Sequence, residues 1–344
     1  MFKRTFTFLF VSLFSITLVA CGGGGGSSGG GDNNGGGDNG GGDGDGGGGG
    51  DGGASTYHYE FLPGTQFSET QFINMGAEGY IFLGPVKFGS DVDVGGLLFG
   101  RQQDATYEYR ISPQQPTLDQ LVAEANAQGQ EGFSLNAPYI SLHGDTTIQT
   151  VYMRQQGTSA TYETKVTPGL ATSASALIDA ANEEGKNGYL LLGPITDGNG
   201  NAGYLWQRSV NGTARYSYRS TPADFEETEE EFLTAVSEQG DQGYLWIYPF
   251  AFVNTNGAAE FANLYIKDEN SQATFSYELM QSADTYTEVV ADANAKGAEG
   301  IYFFGFVAFV SHDPVNDPTG ERLLFVTPEN CSGSPLCAFP TKVL

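Results

Sequence analysis

The side chains that could do chemistry are carboxylates, amides and imidazoles in short polar segments between apolar runs. Asn, Asp and Gly also form hairpin turns for backbone reasons alone, so ordinary turn formation is the alternative. Oxygen ligands far outnumber imidazoles here, which favours calcium over a transition metal as the cofactor of a cation site. The predicted ligands are Asp91, Asp93, Asp145, Asp197, Asn199 and Asp313, with His143 and His312 in two of the same segments.

The run that most resembles a known ligand pattern begins at Asp197. The spacing Asp197-x-Asn199-x-Asn201 resembles the start of a calcium loop. However, Ala202 stands where that loop requires glycine, and Arg208 stands where it requires a bidentate glutamate. The match is therefore incomplete.

Catalytic motifs are absent from the sequence in any plausible setting. There is no Ser-His-Asp set, phosphate-binding loop, HExxH zinc motif or dinucleotide fingerprint. We predict no catalytic residue, and an enzyme is the weaker functional class.

The charge of the chain excludes another class. Its 344 residues carry 15 Lys and Arg against 41 Asp and Glu, for a net charge of -26. Because this charge repels phosphate, we expect neither nucleic acid nor an anionic lipid surface as a direct partner.

The first residues form an export signal. Lys3 and Arg4 precede an apolar run that ends in Leu18-Val19-Ala20-Cys21. This ending resembles the lipobox of bacterial lipoproteins. The resemblance implies a signal peptide over residues 1–20, lipidation of Cys21 with palmitate-type chains and, with Gly22 following, anchoring in the outer membrane.

A tether follows, over residues 21–56. Of the 50 glycines in the chain, 22 lie between Gly22 and Gly53, among Ser, Asp and Asn only. Such a segment has nothing to bury and is expected to be a flexible linker. A calcium-binding glycine and aspartate repeat is the alternative, but its aspartates keep no fixed period.

Export also bears on the other two cysteines, Cys331 and Cys337, which are six residues apart. Once Cys21 is lipidated, an even number of thiols remains in an oxidising compartment, which favours a disulfide. A redox-active pair would normally have the closer CxxC spacing.

The rest of the chain contains five copies of one unit. A Gly-x-x-Gly motif recurs with first-glycine spacings of 53, 56, 55 and 57 residues. The first glycines are Gly76, Gly129, Gly185, Gly240 and Gly297. We place the repeats at residues 57–104, 105–159, 160–213, 214–272 and 273–330, with a tail over 331–344.

Each unit has the local signals of a β-α-β-β order, which gives an α+β fold. An alternating strand comes first, then a helix with a Ser or Thr cap and an amphipathic stripe, a strand apolar on both faces, and a third strand. Four capping boxes are predicted, all but that at Ser173. The first glycine is expected to end the helix with a positive φ.

The unit resembles the small bacterial family called domain of unknown function 4177. In that family an aromatic residue, usually Trp, follows the second glycine and the unit closes on a basic residue. Here the basic residues are Arg101, Arg154, Arg208 and Lys267, and the residues after the second glycine are Tyr80, Phe133, Tyr189, Tyr244 and Ile301. The resemblance brings no activity with it.

Neighbouring units must cover the strands that are apolar on both faces. Five such units have the cyclic order of the five-bladed α/β propellers, or penteins, and the alternative is an open row of units. The catalytic Cys and His of the penteins have no counterparts here, because Cys331 and Cys337 lie beyond the last strand.

These features together predict a membrane-tethered lipoprotein with a binding or structural role. Its expected partners are the membrane, through the lipid, and a cell-envelope protein or polysaccharide. The alternative is a carbohydrate- or cation-binding receptor, and a hydrolase comes third. An exposed aromatic cluster would favour the receptor, whereas buried aromatics would favour a scaffold.

Overall fold

The structure is a computed structural model of the chain. It describes residues 56–64, 68–87, 95–102, 105–141, 148–224, 227–283, 285–309, 320–331 and 334–337. The signal peptide, Cys21 and almost all of the tether lie outside the described residues.

Helices and strands alternate through the described residues as the sequence predicts, in five successive β-α-β-β groups. The helices are α1 (Glu69–Ala77), α2 (Leu118–Gln130), α3 (Ala174–Gly185), α4 (Glu229–Gly240) and α5 (Tyr286–Ala298). The first strands of the units are β1 (Tyr57–Pro63), β4 (Tyr107–Pro113), β7 (Tyr162–Pro168), β10 (Tyr216–Pro222) and β13 (Thr274–Gln281). The second strands are β2 (Ile81–Lys87), β5 (Ser134–Ser141), β8 (Leu190–Thr196), β11 (Leu245–Val253) and β14 (Tyr302–Ala308). The third strands are β3 (Gly95–Gln102), β6 (Ile148–Gln155), β9 (Ala202–Ser209), β12 (Ala259–Asp268) and β15 (Glu321–Glu329).

Each unit forms its own three-stranded antiparallel sheet, so the mixed α and β class is confirmed. The third strand lies in the centre and pairs with both others, as β3 pairs with β1 and β2. The second strand is therefore an edge strand, although its residues Ile81, Phe82 and Leu83 are buried.

The helix starts follow the predicted caps. In all five helices the Ser or Thr side chain accepts the backbone N–H of the third helical residue. The reciprocal bond of a full capping box is present in α1 and α4. In α2 and α5 the box prediction is wrong, because the side chain of Gln120 or Glu288 does not accept the backbone N–H of the cap residue.

The helix of each unit packs on the first strand of the next unit. Helix α1 contacts β4, α2 contacts β7, α3 contacts β10 and α4 contacts β13. Helix α5, in the last unit, contacts β1 in the first. Leu177 in α3 has no exposed surface, and burial of one such side chain contributes about 1.5–3 kcal/mol.

The first glycine of each motif was predicted to end the helix with a positive φ, and this explanation is wrong. Gly185 is the last residue of α3, and positive φ belongs to the second glycine, Gly188, at 80°. A Cβ on Gly185 would lie 2.2 Å from the carbonyl oxygen of Tyr216 in the next unit. The first glycine is therefore required by close packing of a helix on the neighbouring strand.

An asparagine in three of the helices ties each to the next first strand. The side chain of Asn182 accepts the N–H of Tyr218 at 2.7 Å and donates to its carbonyl at 3.2 Å. Asn126 makes the same two bonds to Thr164. A side-chain amide has both a donor and an acceptor. It can therefore bond the N–H and the carbonyl of a strand residue whose backbone groups have no partner within their own sheet.

A tyrosine in four of the first strands protects the edge of the preceding sheet. The hydroxyl of Tyr109 accepts the N–H of Phe82 at 2.6 Å and donates to the carbonyl of Tyr80 at 3.1 Å. The equivalent bonds run from the N–H groups of Leu191, Trp246 and Phe303 to the hydroxyls of Tyr218, Tyr277 and Tyr59. In these four units, a backbone N–H at the unpaired edge of the second strand is thus bonded by the next unit.

Candidate functional site at the junction of the fourth and fifth units

Of the six predicted cation ligands, the structure describes only Asp197 and Asn199. Asp91, Asp93, Asp145 and Asp313 lie outside the described residues, as do His143 and His312. Within the described ranges, no group of three or more His, Cys, Asp or Glu side chains is arranged to hold a metal ion.

Asp197 organises a hairpin turn. Its Oδ1 accepts the N–H groups of Asn199 and Asn201, both at 2.9 Å, and its Oδ2 accepts the side-chain amide of Asn201 at 2.9 Å. Asn254 makes the same two backbone bonds in the equivalent turn of the fourth unit. Because a neutral amide builds the same turn, this geometry is explained by turn formation.

The Asp197 carboxylate also reaches the preceding unit. It lies near the backbone N–H of Leu118, the first residue of α2. The amide of Asn201, and then these N–H groups, lower the pKa of Asp197 below its usual value. Glu260 in the fourth unit accepts the N–H of Ala174, the first residue of α3. Acidic side chains are favourable at such helix starts.

The basic residues that close four third strands have a structural role that the sequence did not reveal. Arg154 lies over the ring of Phe133 at 4.5 Å and donates to the carbonyl of Glu131, the C-cap residue of α2. Arg110 lies over the same ring at 3.9 Å. The aromatic ring of the repeated motif is therefore held against cations.

The third and fourth units repeat this arrangement. Lys165 and Arg208 lie over Tyr189, and Arg219 and Lys267 lie over Tyr244. In the fifth unit the aromatic and the strand-end cation are lost together, since Ile301 and Thr327 stand in their places. In the second, third and fourth units, the aromatic residue that follows the helix therefore packs against the basic residue at the end of the third strand.

A cleft lies where the fourth unit meets the fifth. It has a volume of about 250 Å³. From the fourth unit, α4 supplies Phe232, β11 supplies Trp246 and Tyr248, and β12 supplies Asn263. From the fifth, the end of β14 supplies Phe306 and Phe309. The cleft has an aromatic wall on both sides.

The aromatic wall is itself tightly packed. Trp246 contacts Phe232 at 5.4 Å between ring centroids, Tyr248 at 5.3 Å and Phe304 at 5.5 Å. The indole N–H of Trp246 donates to Asn263 at 3.1 Å. With its one donor used and its ring 2% exposed, Trp246 forms a rigid floor.

Two carboxylates complete the lining. Asp224 is exposed, and Glu227 is half-buried just before α4. Burial, and then repulsion from Asp224 and Glu231, raises the pKa of Glu227. No lysine or arginine is among the residues that line the cleft. The neighbouring cation, Arg322, pairs with Glu229 at 2.7 Å.

The sequence predictions did not include this cleft. Its aromatic residues follow the same alternation as the core residues of the other units, so their types alone do not distinguish them. One signal was present: the acidic run before α4, which contains Asp224 and Glu227, has no counterpart in the other units.

The predicted disulfide is present in the described part of the C-terminal tail. The Sγ atoms of Cys331 and Cys337 are 2.07 Å apart, as a disulfide requires. None of the helices in the described ranges is long and apolar enough to cross a membrane.

Comparison of the chain with protein-family models, with curated proteins and with solved structures finds no match.

Proposed function

We propose that this chain is a lipid-anchored, non-catalytic binding or structural protein of the bacterial outer membrane, and that its five units close into a ring of pentein-like topology. The observation that carries the proposal is the contact between the last helix, α5, and the first strand, β1. In an open row, both would lack the neighbour that every other unit has.

The side chains at the seam between the two ends support closure. Asn294 in α5 bonds to the backbone of Tyr59 as Asn182 bonds to that of Tyr218. The Tyr59 hydroxyl accepts the N–H of Phe303 at 2.7 Å. A Cβ on Gly297 would lie 2.2 Å from the Tyr57 carbonyl, the same approach as at Gly185. Burial raises the pKa of Tyr59, so its hydroxyl stays protonated.

The burial of the second strands supports a non-catalytic role. Second strands of successive units approach each other, as in the 3.4 Å bond from the Asn136 amide to the Phe82 carbonyl. Five equivalent side chains on these strands are buried: Leu83, Asn136, Leu192, Ile247 and Phe304. A ring filled in this way is a rigid body rather than a funnel around an active site. The exposed large apolar side chains of the described residues are aliphatic, which favours a scaffold.

The membrane anchor rests on residues 18–21 and the tether. A linker of this composition and of roughly 32 residues spans about 30 Å, enough to hold the ring clear of the headgroups. The negative charge of the chain provides no attraction to anionic lipid, so the acyl chains must supply the affinity.

The test is Cys21→Ser in the producing bacterium. We expect the variant to lose palmitate labelling and to leave the detergent phase, because the thiol is the lipid acceptor. The matched control is Cys331→Ser with Cys337→Ser, which removes the other two thiols and should leave labelling intact. Labelled, detergent-soluble Cys21→Ser protein would contradict the anchor.

A small-molecule receptor is the second candidate function, and the aromatic and acidic cleft favours it. Pockets that bind small ligands combine an apolar lining with a few polar groups, and they occur preferentially where units meet. The cleft between the fourth and fifth units has both properties.

A further inference from the structure

We propose that the cleft between the fourth and fifth units binds a small organic cation, an ammonium group attached to a flat apolar body. This proposal names a ligand class for the receptor candidate above and does not depend on the lipid anchor. It rests on three properties of the cleft: its aromatic walls, its carboxylates and its size.

The walls suit an apolar body with a positive end. Trp246, Tyr248, Phe306 and Phe309 come from two units and leave a gap between them. Aromatic faces attract cations through the negative charge above the ring, and Trp is the strongest of them. The chain already uses this attraction in the stacked pairs of its second, third and fourth units.

The carboxylates supply charge complementarity. Asp224 and Glu227 line the same cleft, and lysine and arginine are missing from its lining residues. Burial, and then repulsion from Asp224 and Glu231, raises the pKa of Glu227. A bound ammonium would relieve this repulsion, whereas an anion would add to it.

The same lining disfavours a sugar. A carbohydrate needs many hydrogen-bonding partners, but here the amide oxygen of Asn263 already accepts from Trp246. The remaining wall is largely apolar. A volume of about 250 Å³ is smaller than the 300–1,000 Å³ typical of drug-sized ligands, so the occupant is a small molecule.

The described contacts at the start of α4 differ from those at the starts of α2 and α3. Between the second and third units, the Asp197 carboxylate lies near the backbone N–H of Leu118 at the start of α2. Between the third and fourth, Glu260 closes on Ala174 at the start of α3. At the start of α4, Arg322 instead pairs with Glu229, and the aromatic cleft lies beside it.

The test uses tryptophan fluorescence of the full chain. The chain has two tryptophans, and Trp206→Phe leaves Trp246 in the floor of the cleft as the reporter. The probe is 2-phenylethylammonium, with 2-phenylethanol as its neutral match and 3-phenylpropionate as its anionic match. We expect saturable quenching by the ammonium, with at least about tenfold weaker binding of the alcohol and weaker binding still of the anion.

Two variants localise the effect. Glu227→Gln should weaken ammonium binding by about tenfold and leave the alcohol unchanged. Glu238→Gln is the matched control: it removes the same charge from the exposed side of α4 and should change neither. Ala308→Phe, at an exposed lining position, should block both ligands while the melting temperature is retained.

Three outcomes would overturn the proposal. They are the absence of saturable quenching by the ammonium, equal binding of alcohol and ammonium, and equal weakening by Glu227→Gln and Glu238→Gln. Saturable quenching by a neutral oligosaccharide alone would assign the cleft to carbohydrate instead. None of these results bears on lipidation of Cys21, so failure of this inference is distinguishable from failure of the anchor.

Discussion

Asn294, in the last helix, and Tyr59, in the first strand, are 235 residues apart and share two hydrogen bonds. The Asn294 side chain accepts the Tyr59 N–H at 2.7 Å and donates to the Tyr59 carbonyl at 3.1 Å. Asn126 and Asn182 make the same bonds between consecutive units. The two ends of the repeat array therefore meet through the same contact that joins its middle units.

This relationship predicts the effect of Asn294→Ala. We expect the free energy of unfolding to fall by about 1–3 kcal/mol, because the N–H and carbonyl of Tyr59 would be left buried without partners. Chemical denaturation measures the change. Asn182→Ala, which breaks the same bonds within the array, should cost a similar amount. A large effect at Asn182 with none at Asn294 would indicate an open row.

The close approach at Gly185 predicts the effect of Gly185→Ala. The added Cβ would collide with the Tyr216 carbonyl oxygen, so α3 or β10 must shift. We expect a loss of about 1–3 kcal/mol, typical of overpacking. Gly198→Ala is the control, because nothing lies within 4 Å of a Cβ there. Equal melting temperatures of the two variants would contradict this account of the repeated glycine.

The ion pair of Lys165 with Glu184 has a charge-swapped counterpart, Glu278 with Lys296, at the equivalent positions of the fifth unit. We expect Lys165→Glu and Glu184→Lys to destabilise singly and the double variant to recover part of the loss. The coupling should be below about 1 kcal/mol, since the pair is partly exposed. The double variant keeps Arg208 over Tyr189 but lacks the second cation, so full recovery would contradict the stacking role of Lys165.

Asp197→Asn should retain the hairpin turn, because Asn254 builds the same turn, but should change the pH dependence of stability. The pKa of Asp197 is lowered in the fold, so its ionised form contributes stability above the ordinary carboxyl pKa of 3.8. That contribution is lost as the pH falls through the lower, folded value. Melting curves of the two proteins should differ most at neutral pH and converge in acid. A gap that stays constant would contradict the lowered pKa.

The cation site stays a prediction, because four of its six ligands lie outside the described residues. If it exists, millimolar calcium should raise the melting temperature relative to chelator, by mass action on the folded state. Asp91→Asn with Asp145→Asn should reduce that shift. An equal shift in variant and parent, or no shift in either, would leave these residues as turn formers.

The sequence predicted what depends on neighbouring residues. The caps at Ser68 and Thr228, the alternation of each first strand and the pairing of Cys331 with Cys337 all follow from short-range spacing. These features involve bonds between residues a few positions apart, so local residue types are enough to specify them.

Other features depend on contacts between units, and the sequence left them open or misassigned them. The first glycine was assigned a positive φ, but Gly185 is fixed by the backbone of Tyr216 in the next unit. The sequence indicated no packing partner for the strand-end arginines, but Arg154 lies over Phe133. In both cases the partner lies more than ten residues away, where local pattern carries no information on distance.

The sequence by itself therefore determined the five units and their element order, and the export signal stays a prediction. Only the tertiary structure decided that the third strand is central, that each helix covers the following unit and that α5 returns to β1. The physical reason is that every unit has the same amphipathic pattern. This pattern determines which residues each unit must bury, but it does not determine which other unit covers them. The cleft beside Trp246 arises from that choice, because it exists only where two particular units meet.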